Sequence, residues 1–316
     1  MSIRHETSRG YRATRSDLRS TVAMGLVSGM VSGIRDRSPD LNGLLARCDI
    51  DARLLDFPTA RVPLASYAKL YNQLVSTLDD EAFGLFSSPM RCGTFEFLCR
   101  CAVSSHTLGE ALDRMSRFLR IVLVEFELVV IRRGAMAELV LRESVGRGWS
   151  PNEAQRVFAY EWLLRLVHGL ACWLVGRSLP LSEVGFPYPE PAYASDYALI
   201  YTSNPTFVEG NALIAMLTGN LLELPVRREE ADIGSFLIGA PGKITTLYRR
   251  DRLVVRQVRD LLASALPTSI QLDYVADKLN LSPRTLHRKL QEEGSSFRVI
   301  KDALRRDLAL ARAEKS

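Results

Sequence analysis

The sequence of 316 residues is poor in the groups that carry most enzyme chemistry. It contains four histidines, and it has no GxSxG, no Walker loop, no GxGxxG after a strand and no HExxH. Its five cysteines are an odd and scattered set without paired CxxC spacing, which argues against a disulfide framework and against zinc. The sequence therefore predicts no catalytic residue, no metal and no cofactor. Reduced, buried thiols are expected, as is typical of the cytoplasm.

The chain also lacks a convincing signal peptide. An apolar run at residues 21–34 follows an Arg-rich start, but serine and glycine interrupt it. Arg35-Asp36-Arg37 comes directly after it, without a cleavage site built from small residues. Three glycines at four-residue spacing instead predict that this segment is a closely packed helix: Gly25, Gly29 and Gly33.

A second apolar stretch, residues 158–176, contains Glu161, Arg165 and His168. A membrane span would not normally hold three such groups, so no membrane partner is predicted. Their spacing places them in one stripe on an otherwise buried helix, where ionisable groups need partners. A ligand with a carboxylate or an amine can supply one, which makes these three residues the candidates for ligand contact. The alternative is an i,i+4 pair of Glu161 with Arg165 that faces water, and the pattern alone favours that pair.

Charge is unevenly divided along the chain. Residues 249–316 hold 15 Lys and Arg against 9 Asp and Glu, whereas the first 248 residues hold 26 against 27. The whole positive excess therefore lies in the last fifth of the chain. Such a distribution is typical of a domain that binds a phosphate backbone, although an Arg-rich solvated helix would look the same.

Within this basic part, residues 272–291 predict two short helices with a break between them. Asn280-Leu281-Ser282-Pro283 supplies the break, because asparagine tolerates a left-handed backbone, serine caps a helix and proline suits its first position. Val275, Ala276 and Leu279 form the apolar face of the first helix. This is the layout of a helix-turn-helix, whose second helix enters the major groove. A helical hairpin that binds nothing is the alternative.

The second helix, residues 283–292, has Leu286 and Leu290 on one apolar face, four residues apart. A different face is predicted to contact base edges and carries Arg284, His287, Arg288 and Gln291. Thr285, Lys289 and Arg298 are better placed for phosphates, which position a protein without specifying sequence. The alternative is that all of them are solvated surface charges.

The order of helical and alternating patterns predicts an α+β fold. A helix is expected over 17–34, another that begins at Ser38-Pro39, and further helices over 64–78, 93–103, 107–119 and 151–175. A hairpin is expected over 121–142, and short strands over 181–186, 206–209 and 213–216, in a small antiparallel sheet. The predicted organisation is a disordered leader (1–15), a ligand-sensing and dimerisation domain (16–236), a linker (237–250) and an all-α DNA-binding domain (251–316).

Residues 252–315 resemble the DNA-binding domain of the AraC/XylS transcription regulators. The marks are Val275-Ala276-Asp277-Lys278-Leu279, Leu281-Ser282-Pro283-Arg284-Thr285-Leu286, Arg288-Lys289-Leu290, and Glu293-Gly294 before Phe297. The N-terminal half resembles the sensing (arabinose-binding-type) domain that one branch of this family carries. There the marks are Phe186-Pro187, Tyr193, Tyr197, Phe207, Leu213 and the Leu-x-Leu-Pro segment at 222–225.

The resemblance implies a DNA-binding transcription regulator, such as an activator, that responds to a small-molecule effector. Its implied partners are double-stranded promoter DNA, a second copy of the chain and RNA polymerase. The family reads DNA with two helix-turn-helix units joined by a linker helix. Residues 297–315 resemble that linker helix, so the DNA-binding domain is expected to be incomplete at its C-terminus. The alternative is a truncated or inhibitory dimerisation partner that does not bind DNA.

Overall fold

A computed structural model describes the chain at residues 21–35, 40–144, 148–238, 253–264, 271–292, 295–302 and 304–305. Within these ranges the buried apolar side chains form two clusters, one from Val22 to Phe236 and one from Val254 to Leu304. The predicted leader, most of the predicted linker and the last part of the predicted helix 297–315 lie outside the described residues.

The helices of the first cluster surround one long central helix. In chain order they are α1 (Met24–Val31), α2 (Leu41–Arg47), α3 (Leu64–Leu78), α4 (Thr94–Val103), α5 (Leu108–Val122), α6 (Glu153–Val175), α7 (Tyr197–Ile200) and α8 (Glu230–Leu237). In the described part of the chain, short 3-10 turns accompany them at Ala52–Asp56, Ala194–Asp196 and Gly219–Glu223.

The strands form two sheets. They are β1 (Thr21–Ala23), β2 (Arg61–Pro63), β3 (Phe126–Arg133), β4 (Met136–Glu143), β5 (Glu183–Phe186), β6 (Pro205–Phe207) and β7 (Ala212–Thr218). The first two strands pair with each other, and the other five form a sheet of order β3-β4-β7-β5-β6. All neighbours are antiparallel except β5 and β6, which run parallel. The α+β prediction is confirmed, with a larger and mixed sheet in place of the purely antiparallel one.

Helix α6 passes through the centre of the first cluster, and every residue from Val157 to Val175 is buried. Asn152 and Gln155 form a reciprocal capping box at its start, and Gly176 ends it with φ of 68°. By length and composition this helix could cross a membrane, yet its apolar part is entirely buried inside the protein. An apolar helix covered on all sides in this way belongs to a core.

The glycines of α1 allow it to lie close to its neighbours. A Cβ added at Gly25 would come within 2.1 Å of the Tyr193 ring, and one at Gly29 within 2.6 Å of Phe158 Cβ. Neither separation is sterically possible without a shift, so the predicted close packing through these glycines is confirmed.

Several boundaries differ from the sequence prediction. Residues 21–23 are a strand and not part of the predicted helix 17–34, since they pair with Arg61–Pro63. Helix α2 is capped by Asp40, whose carboxylate accepts the backbone N–H of Gly43, whereas the predicted start at Ser38-Pro39 lies outside the described residues. The segment from Ile121 to Leu123 still belongs to α5 and its C-cap, so β3 begins only at Phe126. At residues 21–23, tertiary pairing overrode a local pattern.

The second cluster is built from three helices and the helical residues 297–302. They are α9 (Leu253–Ser264), α10 (Leu272–Lys278) and α11 (Pro283–Glu292). Val275 and Ala276 of α10 pack with Leu286 and Leu290 of α11, and all four are fully buried. These are the apolar positions that the sequence predicts for the two helices of a helix-turn-helix.

Candidate functional site

The turn between α10 and α11 has the geometry that its residues predict. Asn280 adopts a left-handed backbone with φ of 52°, and the Leu281 N–H donates to the Ala276 carbonyl at 2.9 Å. Ser282 Oγ then accepts the backbone N–H of Thr285 at 3.1 Å, so Ser282 caps α11 and Pro283 is its first residue. The turn therefore holds α11 at a fixed angle to α10.

One face of α11 is polar and open to solvent. The four side chains predicted to contact base edges are all exposed: Arg284, His287, Arg288 and Gln291. The opposite face carries Leu286 and Leu290, which are buried. The helix can therefore enter a groove on its polar side without disturbing the cluster that supports it.

The side chains predicted to contact phosphates are placed less uniformly. Thr285 and Lys289 are half-buried, and the Thr285 hydroxyl is hydrogen-bonded to Ser282 Oγ at 2.8 Å. Arg298 is almost fully exposed, and its Nε lies 3.7 Å from Asp302 Oδ2. The Thr285 hydroxyl thus has a structural role at the helix cap, whereas Arg298 projects into solvent.

The polar stripe of α6 is buried with the rest of the helix. Glu161, Arg165 and His168 are 0%, 4% and 3% exposed. The interpretation of Glu161 and Arg165 as a pair facing water is therefore wrong. The pattern could not reveal this, because α3, the 3-10 turn at 194–196 and α7 cover the stripe only after the chain has folded.

Tyrosines surround this stripe. Tyr197 donates its hydroxyl to Glu161 Oε1 at 2.5 Å and is 3.0 Å from the Tyr188 hydroxyl. Tyr201 donates to the Glu161 backbone carbonyl at 3.1 Å. Tyr67 from α3 and Tyr193 complete the group, which we call the tyrosine cluster: Tyr67, Tyr188, Tyr193, Tyr197 and Tyr201.

Several polar atoms in this cluster make no hydrogen bond of normal geometry among the described residues, although Tyr67 lies beside Arg165 and Tyr193 beside Glu161. They are Glu161 Oε2, Arg165 Nε and Nη2, and the Tyr67 hydroxyl oxygen. Buried polar groups are nearly always hydrogen-bonded, and leaving a charged one unpartnered costs several kcal/mol. Such a concentration of unpartnered atoms is typical of a place where a polar ligand binds.

Burial shapes the protonation of the cluster. Loss of solvent raises the pKa of Glu161 to about 7, although Arg165 and the Tyr197 hydroxyl act in the opposite direction. Burial also raises the pKa of Tyr67 to about 12 and that of the other four tyrosines well above the usual value. All five hydroxyls therefore remain protonated donors, and Glu161 changes its charge near neutral pH.

Arg165 remains a cation in this setting. Burial opposes its charge, but the acidic groups around it, with Tyr201, Tyr67 and Glu161 among them, outweigh burial and raise its pKa. The guanidinium carbon lies 5.5 Å from the centre of the Phe158 ring, an arrangement that favours a cation.

His168 has a different environment from the other two stripe residues. Its Nε2 donates to the Leu179 carbonyl at 2.6 Å, which ties α6 to the segment after it. Three further ionisable residues that the sequence offers as candidates for ligand contact, Arg91, His106 and Arg117, are exposed. The structure thus gathers Glu161 and Arg165 among the tyrosines and leaves His168 at the edge.

An ion pair joins the tyrosine cluster to the two-stranded sheet of β1 and β2. Arg61 of β2 contacts both carboxylate oxygens of Asp196, at 2.8 and 3.0 Å, and the Ala23 N–H also donates to Asp196. Because Asp196 directly precedes Tyr197, these contacts hold the backbone at the start of α7 against both strands.

Sequence reasoning missed the tyrosine cluster as a site. A signal was present, because Tyr193, Tyr197 and Tyr201 recur at four-residue spacing and so share one face of a helical turn. The contribution of Tyr67, more than 90 residues away along the chain, had no local signal.

Comparison with known proteins assigns the chain to a family. Residues 40–226 match the family described as the arabinose-binding domain of AraC transcription regulators, N-terminal. The ornithine utilization regulator of Pseudomonas aeruginosa is 28% identical over 259 residues, which are 81% of this chain and 74% of that protein. The crystal structure of the transcriptional regulator CdpR from the same species shares 18% identity and covers 86% of this chain and 84% of that one. The TM-score of that comparison is 0.34.

The family match spans more than half of the chain, and it contains α6 and the whole tyrosine cluster. The chain is accordingly a regulator and not an enzyme. It belongs to the AraC family of transcription regulators, with an N-terminal sensor domain of the arabinose-binding type.

Proposed function

We propose that the chain regulates transcription by placing α11 in the major groove of promoter DNA. The observation that carries this proposal is the face of α11 on which four polar side chains are exposed while the opposite face is buried. Arginine can pair in bidentate fashion with guanine N7 and O6, and glutamine with adenine in the same way. Arg284, Arg288 and Gln291 are the side chains assigned to base edges, with His287 between them.

Lys289 and Arg298 are assigned to phosphates, which set the register of the protein on the duplex. Thr285 supports these contacts indirectly, because its hydroxyl and its backbone N–H both hydrogen-bond to Ser282 Oγ and so fix the start of α11. The positive excess of residues 249–316 supports this assignment, because counterion release from DNA requires basic side chains.

We infer that a small effector bound at Glu161 and Arg165 controls this activity. The buried, unpartnered polar atoms of these two residues support the site, with His168 as its structural neighbour. The similar regulator from Pseudomonas aeruginosa is named for ornithine utilization, which makes L-ornithine a first compound to test. Homodimerisation and contact with RNA polymerase are further proposals, which rest on the family alone. As a regulator of promoters, the chain would act in the cytoplasm.

A gel-shift titration with a duplex selected from a random library tests the proposed function. The wild-type chain should bind the selected duplex more tightly than a scrambled one. Its affinity for DNA should fall steeply between about 50 and 200 mM salt. Lys289→Ala should weaken both duplexes alike and reduce the salt slope by about 1.

Lys278→Ala, on α10, is the matched control, because this lysine is exposed and lies outside α11. It should alter affinity less than Lys289→Ala does. Equal affinity for the selected and scrambled duplexes would refute DNA reading by this chain.

A further inference from the structure

One complete edge of the Arg165 guanidinium makes no hydrogen bond of normal geometry with the protein, although the Tyr67 hydroxyl lies beside this side chain. Nε and Nη2 together form the side-on pair of donors of arginine, and both are buried without a hydrogen bond among the described residues. That pair matches the two oxygens of a carboxylate in spacing and in plane. A ligand with a carboxylate would satisfy both donors at once.

Glu161, one helical turn earlier, lacks the complementary group. Its Oε1 accepts from Tyr197, whereas Oε2 accepts no hydrogen bond of normal geometry, although the Tyr193 hydroxyl interacts with this carboxylate. No ion pair within 4.0 Å joins Glu161 to Arg165 in the described part of the chain. The acid and the base are close neighbours on one helix face, yet they do not satisfy each other. Oε2 therefore requires a donor from elsewhere, and an ammonium is the strongest one.

From these two requirements we propose that the cluster binds an α-amino acid, with its carboxylate on Arg165 Nε and Nη2 and its ammonium on Glu161 Oε2. The inference rests on the proposed function, in which this site receives the effector. An α-amino acid carries its two charges on neighbouring carbons. Side chains four residues apart on a helix are separated by about 5–6 Å at Cβ, so one small zwitterion can reach both.

Other ligand classes fit less well. A neutral polyol would give neither Arg165 nor Glu161 a charged hydrogen-bond partner, and a metal cation would be repelled by the guanidinium. A simple carboxylic acid would satisfy Arg165 and leave Glu161 Oε2 unpartnered. A buried water molecule can bridge polar atoms, but it does not compensate either charge.

The aromatic surroundings agree with a zwitterion that also carries a side chain. The rings of the tyrosine cluster and Phe158 enclose the two charged groups, and all five hydroxyls are protonated donors. Tyr193, 9% exposed, is the most exposed of the five and marks the side of the cluster nearest to solvent.

Isothermal titration of the full chain with the twenty proteinogenic L-amino acids and L-ornithine tests this proposal. At least one of these amino acids should bind. The analogue that lacks its amino group and the analogue that lacks its carboxylate should each bind at least about 10-fold more weakly. An acid that binds as tightly as the amino acid would overturn the ammonium contact, and with it the proposal.

Variants test which residues are responsible. Arg165→Lys and Glu161→Gln should each weaken binding about 10-fold or more, since each removes one charge-assisted contact. Arg156→Lys on the same helix, and Glu125→Gln at another buried glutamate, are the matched controls and should bind normally. If a site variant fails to fold, the analogue series on the wild-type chain decides the question.

Failure of this inference is distinguishable from failure of the proposed function. If none of the amino acids binds while the same preparation still retains its selected duplex, the amino-acid assignment is overturned and DNA reading stands. If an amino acid binds while the chain shows no preference among duplexes, DNA reading is overturned and the amino-acid site stands.

Discussion

The packing of α1 against the tyrosine cluster gives a sharp prediction for Gly25→Ala. The new Cβ would lie 2.1 and 2.2 Å from two carbons of the Tyr193 ring, which is itself nearly buried. Overpacking of this kind costs about 1–3 kcal/mol. Replacing glycine in a helix returns at most about 1 kcal/mol, and less here because Gly25 is only the second residue of α1. We expect a net loss of about 1–2 kcal/mol in the free energy of unfolding.

Urea denaturation followed by tryptophan fluorescence measures this loss. Gly234→Ala is the matched control, because Gly234 lies inside α8 and a Cβ there meets no atom within 4 Å. That substitution should leave stability unchanged or raise it by about 0.5–1 kcal/mol. Gly25→Ala should lower the free energy of unfolding less in a Tyr193→Ala background than it does beside the native Tyr193 ring. A Gly25→Ala variant as stable as wild type would contradict the packing described for α1.

Three further predictions concern the two clusters. The pKa of Glu161 is raised to about 7 in the folded protein, so its contribution to the free energy of unfolding is complete below the unfolded pKa near 4.5 and is lost as pH rises from there through 7. This pH dependence amounts to a change on the order of 3 kcal/mol. Denaturation at a series of pH values should show that Glu161→Gln removes it. Leu290→Ala should destabilise the second cluster by about 2–5 kcal/mol in thermal unfolding, whereas Gln291→Ala on the exposed face should change it by less than about 0.5 kcal/mol. Ser282→Ala should cost about 1 kcal/mol through loss of the cap on Thr285 N–H, and a variant as stable as wild type would show that this cap contributes nothing.

Much of the second cluster could be predicted from local sequence. Asn280, Ser282 and Pro283 each have a conformational preference that decides the turn, and Leu286 and Leu290 follow helical spacing. The same reasoning located α3 with its observed bounds and the β3-β4 hairpin. These features depend on residues that are near neighbours in the chain, where propensity and pattern agree.

Prediction was weaker wherever distant segments decide the outcome. The strand at residues 21–23 exists because it pairs with residues 61–63, and the parallel pairing of β6 with β5 has no local signature. The stripe on α6 was recognised, but its burial depends on tyrosines from several other segments. A pattern can show that Glu161 and Arg165 share a helix face, but only the fold shows what covers that face.

The most direct test of DNA reading by α11 is selection of binding sites from a random duplex library by wild-type and Arg288→Ala chains. The account predicts that Arg288→Ala loses preference at one base position, with a cost of about 1–3 kcal/mol, and keeps the rest of the selected sequence. An Arg288→Ala chain that selects the same sequence as wild type, with undiminished preference at every position, would contradict the assignment of this helix face to the groove.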